Sequence, residues 1–113
     1  MPSQNSKHTE LVVETVLTLS AADIGRFWQN NTGKAFRGKR LISFGLTGSG
    51  DITGILCPSG KRCEIEIKTG RGRLTSDQEN FRDMILSMGG IHAVIRTPDD
   101  IQYFIQRVRA GVL

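Results

Sequence analysis

The chain predicts an α/β fold in which helices flank a mixed β-sheet, in the order α-β-β-β-α-β-α. Three features of the sequence lead there. Apolar residues recur at helical spacing in the first and third quarters of the chain. Two period-two runs, Ile52–Leu56 and Arg62–Thr69, are separated by the turn residues Pro58-Ser59-Gly60-Lys61. An apolar run, Ile91–Arg96, follows the second helical segment, and a strand, helix and strand in succession imply a right-handed crossover within one sheet. At 113 residues, with 38% hydrophobic and 23% charged residues, the chain has the size and composition of one domain with a modest core.

Taken in order, Met1 to Lys7 reads as a loose polar lead-in. Thr9 to Leu19 reads as an amphipathic helix carrying Val12, Val13, Val16, Leu17 and Leu19, with Thr9 as cap and Glu10 in the first turn. Arg26 to Gln29 suits a short strand, and Asn30-Asn31-Thr32-Gly33-Lys34 a loop. The basic stretch Arg37–Arg40 comes next, then a brief extended piece, Leu41–Gly45. Leu46-Thr47-Gly48-Ser49-Gly50 forms a glycine-rich approach to Asp51, where the backbone can come close to a neighbour. Antiparallel pairing of the next two runs places Asp51 beside the end of the second, although fifteen residues separate it from Glu66. After the loop Gly70–Leu74, a helix spans Ser76 to Met88, with Thr75 and Gln78 spaced as a capping box and Gly89-Gly90 as its stop. Thr97-Pro98-Asp99-Asp100 opens the last helix, with Pro98 suited to its first turn.

Composition excludes several classes. No apolar run reaches the length of a membrane span and the N-terminus lacks the apolar core of a signal peptide, so the cytoplasm is the expected compartment. Cys57 and Cys63 flank the predicted turn; a disulfide is conceivable there, and two buried free thiols are the expectation in a reducing compartment. His8 and His92 fall in no Cys/His zinc pattern. A formal charge of +4 and a pI near 9.5 point toward a polyanionic partner.

The run Cys63-Glu64-Ile65-Glu66-Ile67-Lys68 carries the chemistry. As a strand it turns Cys63, Ile65 and Ile67 to one side and Glu64, Glu66 and Lys68 to the other. The bland interpretation is a solvated, alternately charged face. The functional one is that Glu66 and the Ile67 backbone carbonyl ligate Mg²⁺ or Mn²⁺, while Lys68 orients a water and balances charge on a phosphate. Asp51 reads either as a turn residue or as a second carboxylate, and two carboxylates held close require a cation or a raised pKa. Gln78 reads as the cap partner of Thr75 or as a member of the site. On the first helix, Glu10 or Glu14 could approach the sheet edge as an additional acid. Arg26, Asn30, Asn31, Lys34, Arg37, Lys39, Arg40, Arg71 and Arg73 are candidate phosphate contacts.

With these residues assembled, the chain resembles the virus-type replication-repair nuclease (VRR-NUC) domain of the PD-(D/E)XK nuclease superfamily over nearly its whole length. The resemblance rests on Trp28-Gln29-Asn30-Asn31-Thr32-Gly33, on Gly48-Ser49-Gly50-Asp51-Ile52-Thr53-Gly54, on Glu64-Ile65-Glu66-Ile67-Lys68-Thr69, and on Gly72-Arg73-Leu74 leading to Gln78. It implies a restriction-endonuclease-like fold with Asp51 and Glu66 as metal ligands, Lys68 as catalytic lysine and Gln78 as the motif's glutamine. It also implies an acid on the first helix, Glu10 or else Glu14, that reaches the metal directly or through water. Two departures stand out: Gly50 precedes Asp51 where the superfamily pattern has proline, and Gln29 stands where many relatives have arginine. The resemblance further implies Mg²⁺ or Mn²⁺, DNA as substrate with a preference for branched forms such as a Holliday junction, a homodimer, and a frequent phage origin. Two other classes compete with this expectation: a non-catalytic nucleic-acid binder that keeps the fold, and a small interaction protein whose polar strand face is merely solvated.

Overall fold

In a computed structural model of the protein, residues 4–30, 33–44 and 46–113 are described, with side chains for all of these except 4–5, 33–36 and 41–44. The element order is α1 (Gln4–Ala21), β1 (Gly25–Gln29), β2 (Gly33–Arg37), β3 (Arg40–Phe44), β4 (Ile52–Leu56), β5 (Arg62–Ile67), α2 (Ser76–Ser87), β6 (Ile91–Ile95) and α3 (Pro98–Arg109). Four strands form a mixed sheet in the order β1-β4-β5-β6, and β2 and β3 form a separate two-stranded sheet. β4 runs antiparallel to both β1 and β5, whereas β6 lies parallel to β5, joined to it through α2. The expected α/β architecture holds, with the β2–β3 hairpin added to it.

Strand alternation divides the sheet into two unlike faces. One side buries Phe27, Ile52, Leu56, Cys63, Ile65, Ile67, Ile91 and Ile95 against Leu11, Val12 and Leu19 of α1 and Ile101, Phe104 and Ile105 of α3. Phe27 and Phe104 meet edge-to-face at 6.4 Å between ring centroids. The other side carries Glu64 and Glu66 on β5, and α2 crosses it with Phe81 and Ile85 buried. β5 is therefore covered on both faces, as an interior strand with helices above and below must be. Glu64, read from sequence as part of a solvated face, is fully buried; Arg62 donates to its Oε1 (2.7 and 3.0 Å) and the Thr53 hydroxyl lies 3.1 Å from its Oε2.

Several local expectations need correction. α1 starts at Gln4, within the stretch expected to be a loose lead-in, and Thr9 lies inside the helix instead of capping it. Its first residues are polar, so hydrophobic periodicity carried no signal of the true start. The buried face is also rotated: Thr15 is fully buried, its hydroxyl donating to the Leu11 carbonyl at 2.6 Å, while Val13 and Leu17 are exposed. Gly33 and Lys34 belong to β2, not to a loop. Cys63 is buried and free as expected; Cys57 is also free but exposed. Burial pushes the Cys63 thiol up to about 12, so it stays protonated and unreactive. Among the described residues, no helix is long and apolar enough to cross a membrane.

Candidate active site

The β4–β5 register pairs Ile52 with Ile65, which places Asp51, one residue before β4, level with Glu66. Asp51 is fixed from three directions. Its Oδ2 accepts from the Ile67 N–H at 2.8 Å, its backbone carbonyl accepts from the Asn30 N–H at 2.9 Å, and His8 Nε2 of α1 lies 3.4 Å from Oδ2. The glycines before it explain the close packing. A Cβ on Gly50 would lie 2.7 Å from the Ile65 carbonyl oxygen, and one on Gly48, whose φ is +78°, would lie 2.2 Å from that of Asp77. The glycine-rich approach thus lies between β5 and the N-terminus of α2.

Glu66 is the centre of the site. Gln78 Nε2 donates to its Oε1 at 3.0 Å, and Lys68 Nζ lies 3.8 Å from the same oxygen. Gln78 fills both roles read from the sequence: its Oε1 accepts from the Thr75 N–H at 2.9 Å, closing the capping box, while its amide group reaches the carboxylate. One residue therefore ties the start of α2 to β5. Burial, followed by the negative charge of Asp51, drives the Glu66 carboxyl up to about 8; Lys68 opposes this, and a side-chain hydrogen bond with Asp51 adds to it. Two carboxyl groups share this space, and a proton or a cation between them relieves the repulsion.

The Lys68 N–H donates to the Ile95 carbonyl on β6. Because the peptide is planar and trans, the Ile67 carbonyl points the opposite way, toward the side on which Asp51 lies. The two carboxylates, with this carbonyl, are the oxygen donors that could hold a hard divalent cation keeping several waters. Among the described residues, no group of three or more His, Cys, Asp or Glu side chains is arranged to hold a metal ion.

Other candidates are not brought to this centre. Glu10 and Glu14 are both exposed, on the helix face that carries Val13 and Leu17, and His8 is the α1 side chain that approaches Asp51. The helix begins earlier than expected, and at 100° per residue His8 shares its inward face with Leu11, Val12 and Thr15 while Glu10 does not. Asn30 spends its amide group within the protein, donating to the Gly50 carbonyl at 3.0 Å and to Ser49 Oγ at 3.3 Å. It is a positioning residue for the loop before Asp51, not an open phosphate contact. Asn31 lies outside the described residues, as does the side chain of Lys34. Arg37, Lys39 and Arg40 are exposed on the β2–β3 hairpin, and Arg71 and Arg73 on the loop before α2. That loop is held by Arg96, which donates to the Gly72 carbonyl at 2.6 Å.

Sequence reasoning gave no place to His8 beside Asp51, nor to Trp28 on the sheet face that carries Glu66. Trp28 pairs with Thr53, which pairs with Glu64, so its side chain stands on the Glu64–Glu66 face of the sheet; it is 47% exposed. The alternation Arg26-Phe27-Trp28, with Phe27 in the core, was the available signal. The chain matches no protein-family model and no curated protein.

Proposed function

We propose that the protein is a metal-dependent DNA endonuclease of restriction-endonuclease-like fold, hydrolysing phosphodiester bonds with a preference for branched DNA. The observation that carries this reading is the convergence of Asp51, Glu66 and Lys68 at the β4–β5 end, with Gln78 bonded to Glu66. Asp51, Glu66 and the Ile67 carbonyl would hold Mg²⁺ or Mn²⁺. Such a cation, when bound, supplies Lewis acidity toward the scissile phosphate and a nucleophile at neutral pH.

The chain's own residues contribute position and charge. The Ile67 N–H and the Asn30 N–H fix Asp51, and Gln78 fixes Glu66, so the acidic pair is in place before substrate arrives. Lys68 is mostly shielded from solvent, with its ammonium beside Glu66. From there it orients the attacking water and offsets the negative charge that builds on the non-bridging phosphate oxygens as the P–O bond to water forms. The attacking water gives up a proton to solvent, the ester P–O bond then breaks, and the departing alkoxide takes a proton from solvent. No covalent protein intermediate is required.

The test is cleavage of labelled four-way junction, flap, duplex and single-stranded DNA with Mn²⁺, Mg²⁺ or EDTA, with Lys68→Ala beside the native chain. Metal-dependent products lost in the variant support the enzyme. Salt-sensitive binding with no product from any substrate identifies a non-catalytic nucleic-acid binder instead.

A further inference from the structure

The β2–β3 hairpin is left unused by the chemistry above, yet it holds the protein's whole excess of positive charge. The chain has 15 Lys and Arg against 11 Asp and Glu; four of those cations, Lys34, Arg37, Lys39 and Arg40, and none of the acids fall between Asn30 and Gly50. Outside this segment the charges balance. The two strands pair Gly33 with Phe44 through Arg37 with Arg40, closing on the two-residue turn Gly38-Lys39, where Gly38 has φ +63°. Arg37, Lys39 and Arg40 are all exposed at this tip, and no neighbouring atom lies within 4 Å of where a Gly38 Cβ would be.

The chain on either side of the hairpin is firmly tied. Where the segment leaves β1, Asn30 bonds to Ser49, Gly50 and Asp51, the residues where it returns to β4. On the return side, Gly48 packs against the backbone of Asp77 and Gln78. In sequence the hairpin thus lies between the two segments that set Asp51.

We infer that the β2–β3 hairpin is a DNA-gripping arm that enters the major groove of duplex DNA next to the cleaved phosphate. The inference rests on the nuclease reading for its choice of DNA as partner. A two-stranded ribbon fits a major groove of about 12 Å, and a minor groove of about 6 Å is too narrow for it. Five residues of strand reach about 17 Å, which is about five base pairs at ~3.4 Å each. Because Asn30 and Gly50, on either side of the segment that carries the arm, are bonded together beside Asp51, the arm starts within a few residues of the active site and spans that length of duplex. Branched DNA cut near its junction offers such a duplex arm.

The test compares the native chain with the triple variant Arg37→Ser, Lys39→Ser, Arg40→Ser, measuring affinity for a fluorescent duplex in EDTA over a range of salt. Losing three phosphate contacts lowers the log–log salt slope by about 2.7, so the native chain loses about 40-fold more affinity than the variant between about 50 and 200 mM salt. Thermal melts confirm that the variant remains folded. Guanine N7 methylation interference on the native chain, which reports the major groove, is expected within about five base pairs of the cut. An unchanged slope overturns the arm, and a changed slope without N7 interference overturns its groove. A changed slope with N7 interference but no metal-dependent cleavage keeps the arm and rejects the nuclease, and absence of duplex binding at any salt overturns both.

Discussion

The Glu66 carboxyl makes the stability of the metal-free protein fall with pH across the neutral range. Folding moves this group from its ordinary 4.5 up to about 8, first because burial disfavours the charged form and then because Asp51 repels it. The folded state therefore binds the proton more tightly than the unfolded chain does. This stabilisation is complete below about pH 4.5 and is lost as the pH climbs to about 8. At about 1.4 kcal/mol per pH unit the full linkage is about 5 kcal/mol; screening by water at this partly open site reduces it to about 2–3 kcal/mol. At about 4 °C per kcal/mol for a domain of this size, Tm drops by about 10 °C. The assay is a thermal melt in EDTA from about pH 5 to about pH 9, beside Glu66→Gln, whose neutral amide can still accept from Gln78. The variant is expected to show a much flatter profile. Mn²⁺ is expected to restore the native chain at the high-pH end, since a cation takes over the role of the proton. A native Tm that is level with pH and matches that of Glu66→Gln refutes the reasoning.

Three further outcomes are expected. Gln78→Ala loses both the cap and the bond to Glu66, costing about 2 kcal/mol in urea unfolding; Gln78→Glu keeps an acceptor for the Thr75 N–H but adds a third carboxylate, so a folded protein with lost cleavage is expected, and near-native activity contradicts the site. Gly50→Ala forces a methyl against the Ile65 carbonyl, lowering stability by about 1–3 kcal/mol and displacing Asp51; an unchanged denaturation midpoint shows that the loop gives way freely. Trp28 is the chain's single tryptophan, so single-stranded DNA stacking on it quenches the intrinsic fluorescence; Trp28→Ala then weakens that binding by about 1–3 kcal/mol, and full fluorescence with bound DNA excludes the contact.

The convergence of Asp51, Glu66, Lys68 and Gln78 was legible because it depends on strand pairing, turn chemistry and a capping box, all local in sequence. The Pro58–Lys61 turn sets the hairpin, the hairpin sets the register, and the register brings Asp51 level with Glu66. Which side chain of α1 approaches the site was not legible. Whether Glu10 or His8 faces the sheet depends on the rotation of α1, and α1 turns its fully buried Thr15 inward while leaving Val13 and Leu17 in solvent. Hydrophobicity alone predicts the opposite arrangement. The β2–β3 hairpin was half visible, as one extended piece, since its Gly38-Lys39 turn lacks the Asn-Gly or Asp-Gly signature of a tight hairpin.

The sequence by itself determined the α/β class, the β4–β5 hairpin, the bounds of α2 and the start of α3 to within about two residues, and the alternation that separates Glu66 and Lys68 from the core. Each follows from forces acting within a few residues of one another. Only the tertiary structure decided that β5 is covered on both faces, that Glu64 is buried with Arg62 and Thr53, and that His8 takes the place expected for Glu10. It alone showed that Gln78 caps a helix and holds Glu66 at once, and that Asn30 braces Asp51. Those outcomes depend on which elements pack together and at what rotation, and the energy of that packing is shared among residues far apart in the chain.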